Sequence, residues 1–194
     1  MKLGEIATVR TGLVLSRKKA SALHTALHYR MLTLKSFSDT MDISPAYMDD
    51  FYAGERIDTK YIIREGDVVV RLRAPVRALY IDARSAGAVV SSLMAVVRVK
   101  DKRLTARFLA QVLNAPSTQK ILEREIKGTT IPMIKTKDLA SLEVILPPLD
   151  VQEETAALLA LSRKEELLLH ALIEEKQHLS QQWIDTIIQQ HKED

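Results

Sequence analysis

Val144-Ile145-Leu146-Pro147-Pro148-Leu149-Asp150-Val151-Gln152-Glu153-Glu154 is the stretch on which the reading of the fold turns. Its apolar, partly β-branched start reads as the end of a strand over Ser141 to Leu146. Two prolines then remove two backbone donors and hold the chain extended, which ends the strand. Beyond them the chain reads as helix. Asp150 suits the N-cap with Glu153 three residues on, the spacing of a capping box, and Glu153 and Glu154 complement the positive helix end. From Val151 to about Gln190 neither Gly nor Pro intervenes, so at 1.5 Å per residue the helix should reach roughly 60 Å. The expected division is a body over residues 1–150 and a long helix over residues 151–194.

That helix carries two apolar stripes. One runs through Leu161, Leu168, Leu172, Leu179, Trp183 and Ile187 at spacings of seven and four, and the other through Leu169, Ile173, Ile184 and Ile188. Stripes of this kind need cover, either from the body of the same chain or from another helix. The charged breaks at Glu165, Glu166, Glu174 and Glu175 resemble the solvated faces of a coiled coil and favour the second.

Upstream, strand-like segments dominate: Glu5 to Arg10, Tyr29 to Lys35, Asp67 to Arg73, Val76 to Asp82, Ala88 to Val90 and Met94 to Lys100. All are rich in Val, Ile, Leu or Tyr and bounded by turn formers. Glu65-Gly66-Asp67 reads as a turn opening a buried strand. Between Thr105 and Ile126 the period lengthens: Phe108, Leu109, Val112 and Leu113 form a helical stripe, Pro116 fits the first turn of a second helix, and Gly128 stops it. The expected fold class is α+β, a mostly β body with a few packed helices followed by one long coiled-coil-type helix.

Composition narrows the function. The chain has 194 residues, 46% of them hydrophobic, and no cysteine. A length of this order buries enough surface to fold without disulfide or metal, and thiol nucleophiles and Cys-ligated zinc or iron–sulfur sites are excluded. The N-terminus has no apolar signal core, and no run of about 18 apolar residues suggests a membrane span; a cytoplasmic protein is expected. The net charge of +3 hides an asymmetry, because residues 1–150 hold 24 Lys/Arg against 16 Asp/Glu, net +8, while residues 151–194 hold 4 against 9, net −5. A basic body points to a polyanion, since each Lys or Arg placed on a phosphate releases counterions.

Motifs for catalysis are sparse. No Walker loop, Gly-x-Ser-x-Gly elbow or His-Glu-x-x-His is present. His24 and His28 are spaced for one helix face but lack a third ligand, so no metal site is assigned. Glu125-Ile126-Lys127 reproduces the Glu-x-Lys half of a metal-dependent nuclease site, with Asp67 or Asp82 as a possible second carboxylate; it ends a helix, whereas such a pair normally sits on a strand. No catalytic residue is assigned.

Binding clusters are richer. Arg71-Leu72-Arg73-Ala74-Pro75-Val76-Arg77 reads as strand, turn, strand, with Arg71 and Arg73 on one strand face; guanidinium forks there can hold a phosphate or a guanine edge, or simply line a solvated sheet face. Lys127, Thr129 and Thr130 flank Gly128, with Lys135 and Lys137 beyond, and Arg17-Lys18-Lys19 comes after Thr11-Gly12. Lys35 completes the set of candidate DNA-binding residues.

Taken in order, these segments resemble the specificity (S) subunit of type I restriction-modification systems, at half the usual length. The resemblance runs through Leu3-Gly4-Glu5-Ile6 with Thr11-Gly12, Tyr29 to Leu34, Ile63-Arg64-Glu65-Gly66-Asp67-Val68-Val69 and Ala88 to Val99. It is sharpest from Phe108 to Leu179, where strand, Pro147-Pro148-Leu149, Gln152 and helix succeed one another. It implies a non-catalytic target-recognition domain that reads one half of a split duplex site, and a spacer helix. It also implies methyltransferase subunits docked on the assembly, which methylate adenine with S-adenosylmethionine, and leaves room for a restriction (motor-nuclease) subunit. A second identical chain, its helix packed antiparallel, can supply the other half. The loop Arg73-Ala74-Pro75-Val76-Arg77 departs from the glycine-containing loop often found there. A small metal-dependent DNA nuclease using Glu125 and Lys127, and a protein-interaction module acting through the helix, are the competing readings.

Overall fold

The computed structural model describes residues 1–21, 26–37, 47–127 and 132–190. Its helices are α1 (Leu3–Ile6), α2 (Ala106–Asn114), α3 (Pro116–Lys127), α4 (Thr136–Ser141) and α5 (Leu149–Gln190), and its strands are β1 (Ala7–Thr11), β2 (Leu27–Leu32), β3 (Met48–Ala53), β4 (Asp67–Arg71), β5 (Arg77–Tyr80), β6 (Val89–Val90) and β7 (Met94–Val99). The α+β class expected from sequence is the fold observed. Two compact units result, Met1–Ala156 and Ala157–Asp194.

The first unit holds two sheets. One is antiparallel throughout, in the order β1-β7-β4-β5, and the other has the order β3-β2-β6, with β2 and β6 parallel. Strand alternation sorts the core into three layers. Val68, Val70, Ala78, Ala95 and Val97 face the helices, where Phe108, Leu109, Leu113, Leu122 and Leu139 close over them. On the opposite face of the same sheet, Val69, Leu79, Met94 and Val96 meet Leu32 and Val90 of the smaller sheet. The smaller sheet's other face packs Phe51, Ala53 and Val89 against Leu13 and Ile57.

Local chemistry accounts for the boundaries. Gly66, at φ +83°, takes the turn that opens β4, closed by Asp67 N–H donating to Arg64 O at 3.1 Å. Gly12 passes so close to the backbone of Val90 and Ser91 that a Cβ would collide with both carbonyl oxygens. Thr105 caps α2 by accepting from Phe108 N–H at 3.3 Å, and Pro116 opens α3. The free edge of β5 is covered by Asn114, whose Oδ1 accepts from Ala78 N–H at 3.0 Å while Nδ2 donates to Ala78 O at 2.8 Å. One side-chain amide thus satisfies both polar groups of an edge residue.

Several sequence expectations are corrected. Glu5 and Ile6 belong to α1, and the strand starts at Ala7. The strand placed over Asp67 to Arg73 stops at Arg71, and that placed over Tyr29 to Lys35 is β2, ending at Leu32 with Lys35 in a 3-10 turn. No strand forms over Ser141 to Leu146. Ser141 ends α4, Leu142 N–H donates back to Leu139 O at 3.3 Å, and the segment meets the N-terminal residues, with Leu3 N–H donating to Leu142 O and Val144 N–H to Met1 O, each at 2.8 Å. Asp150 is not the cap: α5 begins one residue earlier, which puts Asp150 in its first turn. The stop at Gly128 falls outside the described residues.

The junction is held by Gln152, whose side chain is fully buried. Its Oε1 accepts from Thr105 N–H at 2.9 Å, and its Nε2 donates to Arg103 O at 2.7 Å and Pro147 O at 2.8 Å. The first turns of α5 are thereby stitched to the loop before α2. A buried amide with both ends satisfied is the physical reason a glutamine stands three residues beyond the Pro-Pro-Leu run.

Candidate nucleic-acid interface

Strand β4 ends in Arg71, and β5 begins with Arg77 directly opposite it in register. Two like charges across a sheet repel. Arg71 Nη2 donates to Ala74 O at 3.1 Å and Arg77 Nη1 to Val76 O at 3.2 Å, so both guanidiniums are held by their own hairpin. Arg71 Nε is buried without a partner among the described residues. Among those residues, no carboxylate is paired with Arg71, Arg73 or Arg77.

Arg73 lies beyond the strand and is exposed. It therefore does not share a strand face with Arg71 in the way alternation over Asp67 to Arg73 suggested. An isolated bridge joins it to Met133, and Ile134 N–H donates to Leu72 O at 2.9 Å. This brings the second basic group to the hairpin: Lys135 precedes α4, Lys137 lies in its first turn, and both are exposed. Lys127 ends α3, its side chain outside what is described, and Thr129 and Thr130 fall outside the described residues.

The third group belongs to the smaller sheet. Arg17 ends a 3-10 turn over Leu15–Arg17, Gly54 N–H donates to Lys18 O at 2.9 Å, and Lys19 bridges Ala53 at the end of β3. Lys18 is ion-paired to Glu55, whereas Arg17 and Lys19 are exposed. Lys35 lies past the opposite end of β2, exposed in the Leu34–Ser36 turn.

Between these cations lies a polar surface that the sequence did not reveal. Strand β3 pairs with β2 so that His28 faces Tyr52 and Arg30 faces Asp50. His28 Nε2 sits 2.7 Å from Asp50 Oδ1, and the His28 and Tyr52 rings lie 5.3 Å apart. All four side chains are exposed. His28 is therefore on a strand, not a helix, and His24 falls outside the described residues.

The nuclease carboxylates are engaged elsewhere. Asp67 is 2% exposed and accepts from Arg98 Nε and Nη2 at 2.7 Å each, with Arg64 N–H at 2.8 Å. The hydrogen bonds that Arg98 donates to Asp67 raise the Arg98 pKa above its ordinary value, outweighing burial. Asp82 binds Arg84 Nε at 2.7 Å and Ser85 N–H at 3.0 Å. Burial pushes its carboxyl up, but these bonds prevail and hold it below the usual range. Glu125 is exposed on α3. Among the described residues, no group of three or more His, Asp or Glu side chains is placed to hold a metal.

On α5 the first stripe is exposed: Leu168 by 63% and Trp183 by 73%, with Leu161, Leu172, Leu179 and Ile187 also in the open class. A hollow is lined by Leu161, Leu168, Leu169 and Leu172 together with Lys164 and Glu165. None of the helices described is long and apolar enough to cross a membrane.

The body thus carries two sheets and an arginine hairpin with no paired carboxylate among the described residues, and the second unit is a long helix with exposed apolar stripes. The chain belongs to the type I restriction modification DNA specificity domain family, whose model matches residues 1–175. No curated protein matches it. Among solved structures it is similar to the HsdS subunit from Thermoanaerobacter tengcongensis (18% identity, TM-score 0.60, 91% of this chain and 43% of that one). A chain from a study of complex assembly and conformational transition of the type I R-M system matches at 20% identity, TM-score 0.59, over 87% of this chain and 39% of that one. The type I restriction-modification S subunit from M. genitalium matches at 13%, TM-score 0.51, over 91% and 43%. These likenesses show a common fold, and the chain spans about two fifths of the length of each neighbour.

Proposed function

We propose that this chain is the sequence-reading element of a type I restriction-modification system. It binds one half of a two-part duplex site and carries adenine methyltransferase subunits, which bring S-adenosylmethionine; the chain itself performs no chemistry. A restriction subunit is a further partner of the same assembly. The observation that carries this reading is the family match along residues 1–175, through the body and into α5. The arginine hairpin supports it, because guanidiniums without carboxylates are suited to phosphates.

The exposed stripes of α5 support a second copy as the helix's partner, packed antiparallel so that two bodies stand apart on a two-fold axis. The bound site would then be an interrupted palindrome whose gap depends on the helix length.

Two measurements test the reading. Light scattering should give a dimer for the intact chain and a monomer for the double variant Leu168→Glu, Leu172→Glu. Binding to a pool of duplexes, alone and with the methyltransferase present, should discriminate between sequences and weaken steeply with salt. Equal affinity for every duplex under both conditions would remove the proposal.

A further inference from the structure

We infer that the β2–β3 ribbon is the part that reads base edges, while the Arg71–Arg77 hairpin holds the sugar-phosphate backbone. The inference rests on the reading of the chain as a DNA-specificity element and assigns its two surfaces different tasks.

The two faces of the ribbon differ. Tyr29, Met31, Phe51 and Ala53 are packed into the core, and Tyr29 Oη accepts from Ile57 N–H at 3.1 Å, so this face is fixed. The other face presents His28, Arg30, Asp50 and Tyr52. A face needed only for solubility requires charge. This one carries one charge of each sign beside two aromatic rings, and so combines a pure acceptor, a pure donor and two groups able to do either. That is the vocabulary of the major groove, where cytosine donates, guanine accepts and adenine does both. The groove is about 12 Å wide and admits a two-stranded ribbon.

Spacing and charge agree. Six residues of β2 extend roughly 20 Å, and exposed cations stand at both ends, Arg17 and Lys19 beside the end of β3 and Lys35 after β2. A ribbon laid in the groove would set these cations against the phosphates of the two strands. The negative charge of Asp50 argues against a backbone contact, since a carboxylate repels phosphate, and for a base contact, since it can accept from an amino group. His28 steadies that carboxylate through Oδ1. The hairpin differs on each count: the charged residues from Arg71 to Arg77 are all cations, and Arg71 and Arg77 are tied to loop carbonyls, which suits a sequence-independent grip.

The test is selection of the chain, alone and with the methyltransferase present, against duplexes with a randomised core, then sequencing of the bound fraction. Wild type should enrich one motif. Asp50→Asn, which exchanges an acceptor for an amide at an exposed site, and Tyr52→Ala should change the preferred base at one or two adjacent positions, by about tenfold in relative affinity. Their binding to an unselected duplex should change less than about twofold. Arg71→Ala with Arg77→Ala should weaken all sequences alike and leave the motif intact. An unchanged motif in both ribbon variants would show a merely solvated face and overturn the inference. A motif altered by the hairpin variant instead would reverse it. If wild type enriches nothing under either condition, the proposed function fails and the ribbon assignment falls with it. Matching circular dichroism and melting of each variant against wild type separates these results from misfolding.

Discussion

The two ends of strand β4 carry opposite solutions to the same problem, a charge on a sheet. At Asp67 the charge is buried, and a bidentate guanidinium and a backbone amide answer it. At Arg71, four residues on, the cross-strand neighbour is another arginine, and one nitrogen has no partner among the described residues. The first arrangement is complete without any other molecule, and removing half of it leaves an uncompensated ion. The second is left open. The contrast separates charge that a carboxylate answers within the fold from charge that no described carboxylate answers.

The largest expected effect falls at the closed end. Asp67→Ala should destabilise the body by about 2–3 kcal/mol, below the full penalty for a buried pair because Arg98 is 30% exposed; the urea midpoint measures it. Gln152→Ala, which leaves Thr105 N–H and two carbonyls short of partners, should cost about 2 kcal/mol by the same measurement. At the open end Arg71→Ala with Arg77→Ala should alter stability by no more than about 0.5 kcal/mol. The same pair should lower the slope of log affinity against log salt by about 1 for each lost phosphate contact. Loss of stability comparable to Asp67→Ala would break the comparison.

The smallest effect concerns acid. Hydrogen bonds from Arg103 hold Asp101 at about 2 against an ordinary 3.8. Its contribution is therefore complete above the ordinary value and disappears as pH falls from there through 2. Asp82 is also lowered, so the wild-type urea midpoint should decline over this window. Asp101→Asn should show a shallower decline, by a small margin because solvent screens the pair.

Legibility in the sequence depended on how local each signal was. The α2–α3 pair was readable because Thr105 and Pro116 mark its starts and an apolar stripe runs between them. The Pro147-Pro148-Leu149 junction was readable for the same reason. Strand β3 was not: in Met48-Asp49-Asp50-Phe51-Tyr52-Ala53, adjacent aspartates put a charge on each face, and only pairing with β2 makes the segment a strand. Asp50 and Tyr52 were hidden with it. Ser141 to Leu146 failed in the other direction. Its apolar residues Leu142 and Val144 are buried, yet α4 takes Ser141, and the pairing with the N-terminal segment amounts to an isolated bridge rather than a strand. The basic clusters were visible one by one, but their grouping was not, because the bridge between Arg73 and Met133 spans 60 residues of chain.

Asn114 has a consequence for life in a crowded cell. By impersonating a neighbouring strand along β5, it denies any passing polypeptide that place for backbone pairing. A chain that displays long oily seams on one element gains from sealing such an adhesive margin elsewhere, because one fewer surface is then open to indiscriminate clumping.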